Sequence, residues 1–300
     1  MQRGASQKPG AVPESGLVIA AHGRHFTVEV GDGEVLTCTT RGKRGNVACG
    51  DRVTVVRTSA DQAVIEAVQP RASVLFRSDA YRQKLLAANV TQVVVVVAPW
   101  PAFSHDLLVR CLAGAEHAGA KSLVVLNKID LPQAAAARSQ LDGYPAIGYD
   151  VLPLAARQDV SPLLPRLQGH TSVLVGESGM GKSTIVNRIV PDARAATAEV
   201  SRALATGKHT TTHTRLYRLD AHTRIVDAPG IQVFGLHHID PADLARAFPD
   251  LRPWLGQCRF ANCRHLREPD CAVARAAQNG HIAEARLQAY RRLLEELLHG

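Results

Sequence analysis

From residue 92 to about residue 190 the chain alternates between short, unbroken apolar runs and longer stretches in which apolar residues return every three to four positions. The run over 92–98 is almost pure valine, the mark of a strand covered on both faces. A periodic stretch over 105–118 predicts a helix. Strands over 122–126, 146–152 and 172–175 and helices over 133–141 and 161–167 follow, then a helix from Lys182 and a further strand over 223–226. Alternating strands and helices imply a parallel sheet with right-handed crossovers. Ahead of this region, residues 16–70 show five short β-type runs (17–21, 26–30, 35–39, 52–57 and 63–68) separated by Gly, Asp and Asn turns, which predicts a small all-β barrel of the OB type. Residues 1–15 are rich in Gly, Pro, Ser, Gln and Lys and predict a disordered tail. From about residue 240 the pattern is helical and irregular, and it closes on an apolar-periodic helix over 282–299. The expected architecture is therefore multidomain: tail 1–15, barrel 16–70, α/β domain 71–239 and a helical domain 240–300.

Two loops of the α/β region carry recognisable chemistry. Gly176-Glu177-Ser178-Gly179-Met180-Gly181-Lys182-Ser183 is a complete phosphate-binding P-loop. Its glycines let backbone N–H groups turn toward phosphate oxygens, and the following helix presents its positive end to them. Lys182 would bridge the β- and γ-phosphates, Ser183 would place its hydroxyl on Mg²⁺, and Thr184 follows in the same turn. Asn127-Lys128-Ile129-Asp130 has the N-K-x-D form that reads guanine, the Asp130 carboxylate accepting from the base N1–H and 2-amino groups. Adenine lacks that pair of donors, and leaving a buried carboxylate unpaired costs about 1–3 kcal/mol.

The order is unusual. N-K-x-D precedes the P-loop, whereas ordinary GTPases have the reverse, so the termini of a GTPase domain have been moved to another loop. Asp227-Ala228-Pro229-Gly230 has the D-x-P-G form of a γ-phosphate sensor, with Asp227 reaching the metal through water and the Gly230 N–H reaching the phosphate. Between these loops lies Gly207-Lys208-His209-Thr210-Thr211-Thr212. A threonine here would complete the Mg²⁺ shell: Thr211, with Thr210 as the alternative. Ile231 occupies the place where many GTPases orient the attacking water with glutamine, and isoleucine has no group for that. Either His209 positions the water, or it only neutralises charge beside the phosphates.

Cys258, Cys263, His265 and Cys271 form C-x4-C-x-H-x5-C, three thiols and an imidazole on a segment too short and polar to fold by burial alone. Four closed ligands of this softness suit one structural Zn²⁺ with no position left for water. Arg259, Arg264 and Arg267 interleave with them and could grip phosphates. Cys38, Cys49 and Cys111 lie outside the cluster and read as free thiols in a reducing compartment.

A formal charge of +8 over 300 residues favours a polyanionic partner without naming it. The basic loop at residues 41–46 falls where OB barrels carry a binding loop, and RNA contact there competes with a solvated turn. No N-terminal signal core and no apolar run near 20 residues is present, so the expected location is the cytoplasm, without membrane association.

Barrel, N-K-x-D before the P-loop, G-K-H-T-T-T, D-x-P-G and C-x4-C-x-H-x5-C together resemble the circularly permuted GTPases that depend on the small ribosomal subunit, the RsgA (YjeQ) family. The resemblance implies a monomeric bacterial assembly factor that binds the nearly finished 30S subunit, contacts 16S rRNA with barrel and zinc domain, and hydrolyses GTP to GDP when stimulated by it. It also implies a hydrolytic role for a histidine at the place of His209. The family's Ser-Ala motif, whose backbone supports guanine, is expected near Pro153-Leu154, where this chain has neither residue. A permuted GTPase of large-subunit assembly and an RNA-binding scaffold holding GTP as a structural ligand are the rival readings.

Overall fold

The computed structural model describes residues 12–41, 46–79, 82–190, 214–228 and 236–299. Five strands, β1 (Glu14–His22), β2 (His25–Val30), β3 (Glu34–Thr40), β4 (Arg52–Arg57) and β5 (Gln62–Val68), pair in the order β1-β2-β3-β5-β4, and β4 returns to β1 to close a barrel. Alternate residues point inward, so Val18, Phe26, Val28, Leu36, Val53, Val55 and Ile65 fill its interior. Register shifts in β1 and β4 give the curvature that closure needs. This is the OB-type barrel that the five runs predict.

An antiparallel hairpin not anticipated from the sequence follows, β6 (Val74–Asp79) with β7 (Arg82–Ala88). It sits against the barrel: Cys49 bridges to Ala87, and the Asn89 amide donates to the Gly50 carbonyl at 2.9 Å.

The α/β domain contains β8 (Gln92–Val97), α1 (His105–His117), β9 (Lys121–Asn127), α2 (Ala134–Ser139), β10 (Asp150–Leu154), α3 (Leu164–Leu167), β11 (Thr171–Val175), α4 (Lys182–Ile189), β12 (Arg215–Arg218) and β13 (Arg224–Asp227). Its strands are ordered β10-β9-β8-β11-β13-β12, all parallel neighbours except the antiparallel pair β12–β13. Every residue of β8 is buried, because one apolar layer with α1 covers one face of the sheet and another with α4 covers the other. β12 also pairs with β1 at Ala20 and Arg215, so the sheet runs on into the barrel as eleven strands.

Several boundaries differ from the expectation. Residues 145–147 form a 3-10 turn and the strand runs over Asp150–Leu154, through Pro153. β10 lies at the sheet edge and pairs only with β9, so the missing proline N–H leaves no ladder bond broken. The expected helix over 161–167 divides into a 3-10 turn and the single turn α3, with Pro162 and Pro165 opening them.

Two helices close the chain, α5 (Ala272–Gln278) and α6 (Glu284–His299). Phe248, Leu251, Val273, Leu287, Tyr290 and Leu294 join the core layer that covers α1. No helix among the described residues is long and apolar enough to cross a membrane.

Candidate functional site

The sheet order explains why an inverted motif order leaves one site intact. β11 leads into the P-loop, β9 into N-K-x-D and β13 into D-x-P-G, and as parallel strands they deliver all three loops to the same end of the sheet, where open α/β sheets bind ligands. Which strand comes first along the chain does not enter.

Within the P-loop, Gly176, Gly179 and Gly181 have φ of +137°, +83° and +98°, a region L side chains rarely adopt. Two of them also have no room for a Cβ. At Gly176 it would lie 2.2 Å from the Val96 carbonyl oxygen, and at Gly181 2.3 Å from Asn127 Nδ2. Lys182 curls back over the loop, its Nζ donating to the carbonyls of Gly176 at 2.6 Å and Glu177 at 2.7 Å. Ser183 and Thr184 occupy the first turn of α4, with Ser183 exposed. Ser178 is exposed, while Met180 is buried beneath the loop.

Asn127, 2% exposed, fastens the N-K-x-D loop to its neighbours. Its Nδ2 donates to the Met180 carbonyl at 2.9 Å and its Oδ1 accepts from the Ala156 N–H at 3.0 Å. Three loops thus converge on one amide. The partner loop is Ala155-Ala156, immediately past β10, while Pro153 and Leu154 are strand residues paired with Leu126 and Asn127. Lys128 has φ +59° and its Nζ donates to the Trp100 carbonyl at 2.7 Å, while Asp130 is exposed beyond it.

Asp227 ends β13 close to Lys182. Burial pushes the Asp227 carboxyl up and the Lys182 ammonium down, each opposed by the other's charge. Phosphates beside Lys182 and a divalent ion beside Asp227 would reverse both penalties. His209, Thr210, Thr211, Gly230 and Ile231 lie outside the described residues.

In the C-terminal segment the ligand atoms of Cys258, Cys263, His265 and Cys271 all lie within 4.8 Å of one another. His265 Nδ1 is 3.5 Å from the Sγ of Cys258, 3.5 Å from that of Cys263 and 3.3 Å from that of Cys271, and the Cys258 and Cys271 sulfurs are 4.0 Å apart. A tetrahedral zinc with its usual bond lengths needs S···S near about 3.8 Å and S···N near about 3.5 Å. The four side chains therefore fit one metal ion. Backbone amides of Ala272 and Ala274 point at the Cys258 and Cys271 sulfurs, at 3.3 and 3.4 Å, as thiolates would require. α6 holds the cluster from behind: Tyr290 donates to the Arg264 carbonyl at 2.8 Å and Arg291 to that of His265 at 3.0 Å.

Residues that motif reading did not reveal include Ser104, the N-cap of α1, whose N–H donates to a Glu177 carboxylate oxygen at 2.7 Å. No sequence signal links positions 73 residues apart.

Fold and loops together define a circularly permuted P-loop GTPase. A family model described as RsgA GTPase matches residues 68–237. Among relatives, the "Small ribosomal subunit biogenesis GTPase RsgA" of Nitrosospira multiformis is 49% identical over 286 residues, covering 95% of this chain and 91% of that protein. The protein of the same name from Burkholderia pseudomallei is 49% identical over 308 residues, covering 99% and 98%. Of solved structures, YjeQ from Thermotoga maritima superposes with a TM-score of 0.76 at 29% identity, covering 96% of this chain and 100% of that one. YloQ, a circularly permuted GTPase, gives 0.73 at 25%, covering 98% of each. This chain belongs to the RsgA GTPase family.

Proposed function

We propose that this protein hydrolyses GTP to GDP and phosphate during late maturation of the 30S subunit, as a monomer in the cytoplasm, and that the subunit stimulates the reaction. The observation carrying the chemistry is the Asn127 junction, which ties a guanine-reading loop to a complete P-loop. The relatives' names supply the ribosomal setting, and near-full-length coverage supports transferring it.

In this reading Asp130 selects guanine, with Asn127 and Lys128 holding its loop. Backbone N–H groups of residues 177–184 receive the phosphates, and Lys182 sits across the β- and γ-positions, where charge builds as the bond to the leaving phosphate lengthens. Ser183, Thr211 and, through water, Asp227 would hold Mg²⁺, which when bound neutralises phosphate charge. Gly230 would sense the γ-phosphate, and His209 would orient the attacking water that Ile231 cannot. Cys258, Cys263, His265 and Cys271 would hold one structural zinc, whose binding free energy is also folding free energy for residues 258–271. That fold would present Arg259, Arg264 and Arg267 to 16S rRNA, while residues 41–46 offer a second contact. Arg259 is more than half exposed, pairs with Asp270 at 3.0 Å and lies 5.6 Å over the Phe260 ring, so an ion pair that phosphate could displace stands beside an aromatic face at the surface.

Co-sedimentation tests the partner. With a non-hydrolysable GTP analogue the protein should pellet with purified 30S subunits and remain in the supernatant with 50S subunits. Equal pelleting with both would refute the small-subunit assignment.

A further inference from the structure

A carboxylate in a phosphate-binding loop is an electrostatic oddity, because its charge opposes the anion the loop exists to hold. Glu177 directs its side chain to a specific partner. α1 is N-capped by Ser104, whose hydroxyl accepts from the Leu107 N–H at 3.3 Å. In a capping box, a Glu or Gln three residues on would return a bond to the cap's own N–H. Leu107 cannot. The P-loop supplies the missing acceptor: Glu177 Oε2 accepts from Ser104 N at 2.7 Å, at the positive end of a 13-residue helix. The same residue's main-chain carbonyl receives Lys182 Nζ at 2.7 Å. One residue thus grips α1 with its side chain and the phosphate-binding lysine with its backbone.

The other side of α1 is fastened to the C-terminal helix. Asp106 pairs with Arg292, Arg110 pairs with Glu296, and His105 Nε2 meets the Tyr144 hydroxyl at 2.9 Å. Tyr144 in turn flanks Arg286 of α6, and α6 holds the carbonyls of Arg264 and His265 in the cluster segment. Contacts therefore run without a gap from the metal-ligand segment through α6 and α1 to Lys182.

We propose that Glu177 is a positioning residue that couples nucleotide binding to the docking of α6 on α1, so that a pull on the C-terminal domain is felt at the P-loop. The proposal rests on the GTPase reading above. It is tested by equilibrium titration of the full-length protein with a fluorescent GDP analogue. Glu177→Ala should weaken binding about tenfold, the scale of one charge-assisted hydrogen bond. Glu177→Gln, whose amide oxygen can still accept from Ser104, should recover most of it. The double variant Arg110→Ala/Arg292→Ala, which touches no nucleotide residue, should weaken binding about threefold when Glu177 is present, the scale of exposed ion pairs. In a Glu177→Ala background it should change nothing further. Unaltered affinity in Glu177→Ala, no recovery in Glu177→Gln, or an equal loss from the ion-pair variant in both backgrounds would each overturn the coupling. Lys182→Ala separates the two claims. If it too binds as wild type, the GTPase reading fails; if it alone loses binding, only the coupling fails.

Discussion

Replacing Gly181 with alanine tests whether the Asn127 amide is the point at which three loops are joined. The backbone there is left-handed, at φ +98° and ψ +17°, and an L side chain in that region costs about 1–2 kcal/mol. The added methyl would also stand 2.3 Å from Asn127 Nδ2, so the amide must swing away and give up its 2.9 Å bond to the buried Met180 carbonyl. An unsatisfied buried acceptor costs about 1–3 kcal/mol, so the expected destabilisation is roughly 2–5 kcal/mol. Asn127→Ala alone loses both amide bonds without strain. In the double variant the clash is gone and the bond is lost only once, so the combined cost should fall short of the sum by about 1–2 kcal/mol. Urea unfolding reads this. The protein has two tryptophans, and Trp100 follows β8 beside the P-loop, so fluorescence in a Trp254→Phe background reports on this domain. Additivity within about 0.5 kcal/mol would refute the argument.

Three further outcomes are expected. Arg286→Ala leaves the Asp250 carboxylate buried and unpaired, a pair now only 5% and 2% exposed, and should cost about 3–5 kcal/mol by thermal unfolding. Arg286→Met with Asp250→Leu should recover most of that. Cys263→Ala should drop metal content by elemental analysis from one ion per chain to well below it, and loosen residues 258–271 while nucleotide still binds. Asp130→Asn should weaken GTP and admit xanthosine triphosphate, whose 2-oxo group can accept from the new amide. Wild-type protein binding ATP as well as GTP would contradict the guanine assignment.

The loops at the ends of β9, β11 and β13 and the clustering of Cys258, Cys263, His265 and Cys271 were legible because each is a short contiguous string whose chemistry constrains residue type at fixed spacing. The barrel was legible because its strands alternate inward and outward over a closed core. What escaped were contacts between distant segments and elements with weak patterns. The hairpin over 74–88 lies beside the barrel as a two-stranded sheet of its own, with no long apolar alternation to announce it. β10 begins four residues later than the apolar run suggests and continues through Pro153, which an edge strand tolerates. The Glu177–Ser104 bond and the buried Arg286–Asp250 pair depend on the packing of α1 and α6, which no local window contains. Cys38, Cys49 and Cys111 are buried and none is in a disulfide among the described residues.

Phosphate release from GTP, measured on the isolated protein and again with purified 30S or 50S subunits, tests the central claim most directly. Slow turnover alone, a large rise with 30S subunits and none with 50S subunits is the expected result, with Lys182→Ala silent throughout and His209→Ala binding nucleotide but losing most of the stimulated rate. Rapid turnover by the isolated protein, unchanged by 30S subunits, would contradict it.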